Sequence, residues 1–229
     1  THKPTGVGFI VKDEAGRNVI VVDMGANALF DAKDIDRAAP IINRARVALA
    51  QLEIPLATAL YGMTAAKAAG ARTILNPAPA QDLRKCDLSS VDVLTPNETE
   101  ARVALGLDPT DPIPNAEVAK RLMETGCGAV VMTLGADGVF GLSPDGAFSI
   151  PPFKVKVVDS NGAGDSFNAG LAVGLEEGLA LADAARFAAA TAALCCTRWE
   201  TVPSYHTRSD VDRFLEQAAP AAPSQESGS

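Results

Sequence analysis

Short apolar runs rich in β-branched residues recur along this chain, with longer stretches of mixed character between them. GVGFIVK (6–12) and NVIVVD (18–23) read as two strands, and Asp13-Glu14-Ala15-Gly16 between them is a hairpin turn composition. After Gly25-Ala26-Asn27-Ala28 a polar stretch leads to a helix around 34–44, and ARVALAQL (45–52) reads as a buried strand ending at Glu53. PLATALYGMTAAKAAG (55–70) is an Ala-rich helix with Pro55 at its start and Gly70 at its end, the asymmetry that helix termini favour. TIL (73–75) and VDVL (91–94) are strands running into Asn76-Pro77-Ala78-Pro79 and Thr95-Pro96-Asn97. Helices are expected near 97–105 and 115–125, and GAVVMTL (128–134) is a further strand. The turn Gly135-Ala136-Asp137-Gly138 and two short strands follow, then helices over 163–177, 181–197 and 208–217. The small, polar, Pro-containing stretch 218–229 is expected to be a disordered tail.

Strand and helix thus alternate from about 45 to 135, which predicts an α/β fold with a mainly parallel sheet and helices on both faces. Ligands of such sheets sit beyond the carboxyl ends of the strands. Glu53, Asn76, Asn97, Thr133 and Asp159 all fall at such ends.

Composition changes the picture in four ways. At 229 residues and 47% hydrophobic, the chain can bury a substantial core, as one fairly large domain or one and a half small ones. A formal net charge of −8 disfavours nucleic acid and anionic membrane as partners, since the long-range field repels both. The sequence holds no apolar run long enough to span a bilayer and no signal-peptide pattern at Thr1-His2-Lys3-Pro4, so a cytoplasmic location is expected. Cys86, Cys127, Cys195 and Cys196 match neither a zinc knuckle nor a disulfide framework and read as small buried hydrophobes in a reducing compartment.

The densest chemistry lies in VVDSNGAGDSF (157–167), where a β-branched run passes through Gly162-Ala163-Gly164 and sets Asp165 at a helix start. Amides of residues 162–164 can converge on one anionic point, and the helix dipole adds to the attraction. A carboxylate beside that point can take a proton from a hydroxyl while the amides stabilise a phosphoryl group in transit. An acid that merely charges the first turn is the plainer reading. Asn97 and Glu100, at i and i+3, share a helix face and suit a hydrated Mg²⁺ carrying phosphate oxygens, although the same spacing makes an ordinary capping box. Thr133-Leu134-Gly135-Ala136-Asp137-Gly138 ends a strand in a Gly-bracketed turn against which adenine could lie, and a plain hairpin explains it equally.

NPAPA (76–80), TPNETEA (95–101), TLGADG (133–138) and VVDSNGAGDSFNAG (157–170), in this order, resemble the ribokinase branch of the pfkB carbohydrate kinases, with QLEIPL (51–56) and GANA (25–28) in keeping. The resemblance covers the chain to about residue 215 and implies a ribokinase-like three-layer sandwich over 1–217, with hairpin 6–23 as part of a small β lid. It implies ATP-dependent phosphorylation of the primary hydroxyl of D-ribose, with fructose, deoxyribose, a nucleoside or 2-keto-3-deoxygluconate as alternative acceptors. A non-catalytic nucleotide-binding protein is the reading from a different class. Asp165 would be the base and Gly162, Ala163 and Gly164 the anion hole; Asn97 and Glu100 would organise Mg²⁺ and ATP phosphates. Thr133 to Gly138 would line the nucleotide, and Glu53 would lie close to sugar or phosphate-bound water. A monovalent cation, usually K⁺, would sit among Asp159, Asn161, Cys195, Arg198, Glu200 and Ser204, mostly on backbone carbonyls. The complete protein would pair as a homodimer through the lid.

The chain departs from the family pattern in three places. It reads Arg198-Trp199-Glu200-Thr201 where the family has Arg-x-Gly-Ala, so Glu stands where a loop glycine gives easy positive φ. Ala189 stands where a nucleotide-contacting Asn or His is common. Family members also carry, ahead of the matching region, strands and a Gly-Gly sugar site, whose absence would leave sheet edges and apolar helix faces exposed.

Overall fold

The structure, a computed structural model, describes residues 2–12 and 18–218. The turn expected at 13–16 and the tail beyond Ala218 lie outside the described residues. Contacts within the chain divide it into two compact units, Thr1–Leu134 with Phe140–Phe148, and Gly135–Val139 with Ser149–Ser229.

The first unit begins with an antiparallel ribbon of β1 (Val7–Lys12) and β2 (Asn18–Asp23), in which Val7 faces Asp23 and Phe9 faces Val21. Alternation puts Val7, Phe9 and Val11 on one face of the ribbon, and all three are exposed, as is Val21. A five-residue 3-10 turn, Gly25–Leu29, occupies the GANA stretch. Helix α1 (Ala32–Ile42) starts two residues ahead of the expected point because Asp31 caps it, accepting from Lys33 N and Asp34 N while Asp34 reciprocates.

A six-stranded sheet follows in sequential order: β3 (Val47–Ala50), β4 (Arg72–Leu75), β5 (Val93–Leu94), β6 (Val130–Thr133), β7 (Val139–Ser143) and β8 (Gly146–Ile150). The first four are parallel, with Ala50, Leu75, Leu94 and Val130 in one row. The connections to β7 and β8 are too short for a crossover and make that end antiparallel. Right-handed crossovers stepping steadily one way set their helices on one face. Accordingly Ala59 and Met63 of α2 (Leu56–Ala68), Ala101 and Ala104 of α3 (Glu98–Ala104), and Val118 and Leu122 of α4 (Asn115–Met123) share one core with Leu75, Leu94 and Met132. The alternate residues Ile74, Val93 and Val131 are buried too, the signature of a sheet covered on both faces.

One expectation needs correction. Residues 45–52 read as a buried strand, yet β3 spans only Val47–Ala50, lies at the sheet edge among the described residues and leaves Leu49 42% exposed. Beside it an open apolar hollow of about 180 Å³ is lined by Phe30, Ile35, Ile42, Leu49 and Met63 among others. An edge strand buries one side at most, and the apolar content that suggests burial cannot report the number of neighbours.

The second unit packs α5 (Ala163–Glu176) against α6 (Leu181–Cys195), with α7 (Arg208–Gln217) on α6. The α5–α6 seam is built from small residues: a Cβ at Gly170 would fall 2.9 Å from Ala188 Cα, and one at Gly174 2.9 Å from Ala184 Cβ. Phe187, Ala190 and Val211 form a second core with Phe153 and Phe214 against it. All four cysteines are free, as read; Cys127 and Cys195 are buried, and burial pushes the Cys127 thiol up to about 11.

Arg102 is the most consequential buried charge of the first unit. Its guanidinium donates to the carbonyls of Glu98, Asp111 and Ile113 and to Asn115 Oδ1 at 2.7–3.0 Å, tying the 105–114 loop to α3. Arg102→Leu would orphan those carbonyls, and urea unfolding should register a loss of about 2–4 kcal/mol; a change under about 0.5 kcal/mol, the range of ordinary surface substitutions, would contradict this account.

Candidate active site

In the first unit the parallel register carries strand ends to a common edge, and a bridge beyond the named strands pairs Asn97 with Thr133. Thr133 N–H donates to Pro96 O at 3.0 Å, so the turn into α3 is fixed against the end of β6. Asn97 caps α3: Glu100 N–H donates to Asn97 Oδ1, Asn97 N–H to Glu100 Oε2 and Asn97 Nδ2 to Glu100 Oε1, each at 2.8 Å. The capping box is therefore present, and it holds the Asn97 amide and the Glu100 carboxylate side by side, each of their oxygens accepting an N–H. Burial pushes the Glu100 carboxyl above its usual range, against the Asn97 N–H that favours its charged form. A desolvated carboxylate of this kind suits a divalent cation. Among the described residues no cluster of three or more His, Cys, Asp or Glu is placed to hold a metal ion.

Glu53 is exposed beyond β3, in a bend whose preceding residue Leu52 donates its N–H to Ala78 O at 2.8 Å. Thr133 ends β6, Leu134 follows, and Gly135–Asp137 form a 3-10 turn that opens β7. Gly138 closes the turn at φ +91°, where a Cβ would meet Ile150 O at 2.1 Å; only glycine fits that approach.

In the second unit the 157–168 segment forms the expected loop and helix start. Asp159 is buried and its Oδ1 accepts from Asn161 N–H at 3.0 Å. Gly162 caps α5 in the left-handed region at φ +77°, and a Cβ there would meet Thr201 Cγ2 at 2.7 Å and Tyr205 Oη at 3.3 Å. Ala163 N–H, one of the three amides expected to line the anion hole, donates to Ser160 O at 3.2 Å. Gly164 and Asp165 are exposed, and a Cβ on Gly164 would meet nothing within 4 Å among the described residues, leaving space for a ligand.

The residues expected around the cation are partly gathered. Cys195 Sγ lies 3.6 Å from Asn161 O and 3.1 Å from Ser204 Oγ, and Ser204 donates to Thr201 O. Arg198 and Glu200 are exposed in the loop between. Glu200 is the one non-glycine with positive φ among the described residues, at +66°, so the loop takes the left-handed turn that the departure from Gly put in doubt.

Sequence reasoning missed three residues here. Thr201 and Tyr205 lie over Gly162, and Asn168, 3% exposed, donates from Nδ2 to Gly164 O at 3.0 Å. Burial, followed by the charge of Asp165, pushes the Tyr205 phenol up, which marks the two as neighbours. Asn168 could have been found as i+4 from Gly164; Thr201 and Tyr205 come from a distant loop and left no local signal.

The family described as pfkB family carbohydrate kinase matches residues 1–208. A bifunctional ribokinase/ribose-5-phosphate isomerase A of Fructilactobacillus sanfranciscensis is 42% identical over 177 residues, covering 77% of this chain and 33% of that protein. A ribokinase of Haemophilus influenzae is 36% identical over 218 residues, covering 95% of this chain and 71% of its own length. The chain thus spans a third to about seven-tenths of these relatives. A solved Arabidopsis thaliana ribokinase, complexed with ribose and ATP, superposes with a TM-score of 0.81 at 29% identity over 94% of this chain and 70% of that one. These likenesses establish a ribokinase-like α/β sandwich.

The Glu100 carboxyl has a folded pKa raised above its unfolded value, so its neutral form is favoured on folding and its ionised form costs stability as pH rises through the folded pKa. Glu100→Gln stays neutral throughout. The melting temperature of the variant relative to wild type should therefore fall as pH is lowered from 7 to 4, and a difference independent of pH would count against a desolvated carboxylate.

Proposed function

The chain belongs to the pfkB family of carbohydrate kinases, and from that premise we propose that it transfers the γ-phosphoryl group of ATP to the primary hydroxyl of D-ribose. The Asp165 carboxylate accepts the hydroxyl proton, the freed oxygen forms a bond to the γ-phosphorus, and the bond from that phosphorus to the β–γ bridging oxygen breaks, releasing ADP. The anion hole of Gly162, Ala163 and Gly164, with the positive end of the α5 dipole, faces the charge that spreads over the transferred oxygens.

Asn97 and Glu100 are the residues that would hold Mg²⁺ beside the ATP phosphates. When bound, that ion supplies neutralisation of phosphate charge. Thr133 to Gly138 line the nucleotide and Glu53 faces the sugar or phosphate-bound water. Asp159, Asn161, Cys195, Arg198, Glu200 and Ser204 surround a K⁺ site, chiefly through backbone oxygens. The exposed apolar face of the β1–β2 ribbon is the surface through which two copies pair.

The observation that carries this reading is the Gly162 turn: positive φ, no room for a Cβ, open space above Gly164 and an exposed carboxylate one residue on. Similarity to ribokinases supports ribose over other acceptors. Coupled measurement of ADP release over a panel of sugars tests it, with ribose expected to give the highest kcat/KM. Asp165→Ala should lower kcat by about 10²–10⁴-fold, the usual yield of general base catalysis, while the nucleotide Kd stays within a few-fold. Equal losses in both would overturn the assignment of Asp165 as base.

A further inference from the structure

Asn76 stands at a place where backbone pairing between β4 and β5 ought to continue and cannot. In a parallel ladder the bonds alternate along the pair, and Thr95 N–H donates to Leu75 O at 2.9 Å. The next bond would run from the amide of residue 77 to Thr95 O. Residue 77 is proline and has no N–H. The side chain of Asn76 takes over: Nδ2 donates to Thr95 O at 2.6 Å, inside a pocket where Asn76 is 7% and Thr95 2% exposed.

The other bonds of this segment run the opposite way. Asn76 N–H donates to Ala50 O at 2.9 Å, and Ala78 O accepts from Leu52 N–H at 2.8 Å, so the backbone leaving β4 stays with β3 while the Asn76 side chain holds β5. Asn76 Oδ1 accepts from Gln51 Nε2 at 3.3 Å, which fixes the amide's orientation. One residue on the middle strand therefore clamps both neighbours at the edge where ligands of parallel sheets bind. Glu53 follows one residue after the pinned Leu52, and Asn97 two residues after the pinned Thr95.

We propose that Asn76 is a positioning residue that sets the loop bearing Glu53 and the loop bearing Asn97 and Glu100 as one unit. The proposal rests on the kinase reading for what those loops hold. A neutral amide suits the task, because it supplies both a donor and an acceptor in a buried place where a charge would be costly.

The test compares Asn76→Ala and Asn76→Ser, whose shorter side chains cannot span to Thr95 O, with Thr73→Val. Thr73 makes similar buried side-chain bonds, from Oγ1 to Ser90 O and Asp92 Oδ2, at the opposite end of the same strand. Amide hydrogen exchange without nucleotide should quicken about tenfold at Leu52, Asn97 and Thr133 in both Asn76 variants and stay unchanged at Ile74. Calorimetric titration with Mg·ATP should show binding weakened by about tenfold, as loss of one hydrogen bond's worth of ordering would give, with Thr73→Val within twofold of wild type. The proposal is overturned if exchange rises uniformly along β4, if Thr73→Val loosens the same three amides, or if Mg·ATP affinity is unchanged while those amides quicken. A wild-type chain that fails to bind Mg·ATP counts against the kinase reading instead, and amide exchange alone then decides the clamp.

Discussion

Parallel pairing of β3 to β6 sends four strand ends to one edge, and the chemistry of the first unit depends on what those ends carry. Regular backbone pairing stops at that edge, so each polar group beyond it must find another partner. The structure answers with side chains: Asn76 replaces the donor that Pro77 lacks, and Asn97 and Glu100 close the start of α3 on each other. Of the two readings of the Asn97–Glu100 spacing, the capping box is what the structure shows.

The second unit obeys a different constraint. Gly162 must take positive φ and leave room for Thr201 and Tyr205, which places a helix start, two glycine amides and an exposed carboxylate within four residues. Glycines at 170 and 174 then let α6 approach α5 closely, and α6 leads into the loop that returns Thr201 and Tyr205 to the turn. Glu200 takes the left-handed turn of that loop despite its side chain, a conformation that L residues adopt at a cost.

Much of this was readable in advance, for identifiable reasons. Helix limits came out within a few residues where a chemical stop exists, as at Gly70, which takes φ +89° beyond α2, and at Thr207, which caps α7. The start of α1 was misjudged because Asp31 hides its capping role in a polar stretch. β3 was overestimated because Ala, Val and Leu look alike on an edge and in the middle of a sheet. Glycine spacing and one carboxylate disclosed the 162–165 turn, whereas Ala163 N–H turning to Ser160 O depends on backbone geometry that residue types do not encode.

The sequence by itself determined the order of elements, the parallel core and the identity of the polar residues at the strand ends, since periodicity, caps and prolines act over a few neighbours. It also set Pro77, which has no N–H, directly after Asn76, where the β4–β5 register makes it a gap in the ladder. Only the tertiary structure decided that Asn76 fills this gap, that Thr201 and Tyr205 cover Gly162, and that burial lifts the Glu100 carboxyl. Each of those depends on residues far apart in the chain meeting at distances of a few ångströms, and on how much water they exclude when they do.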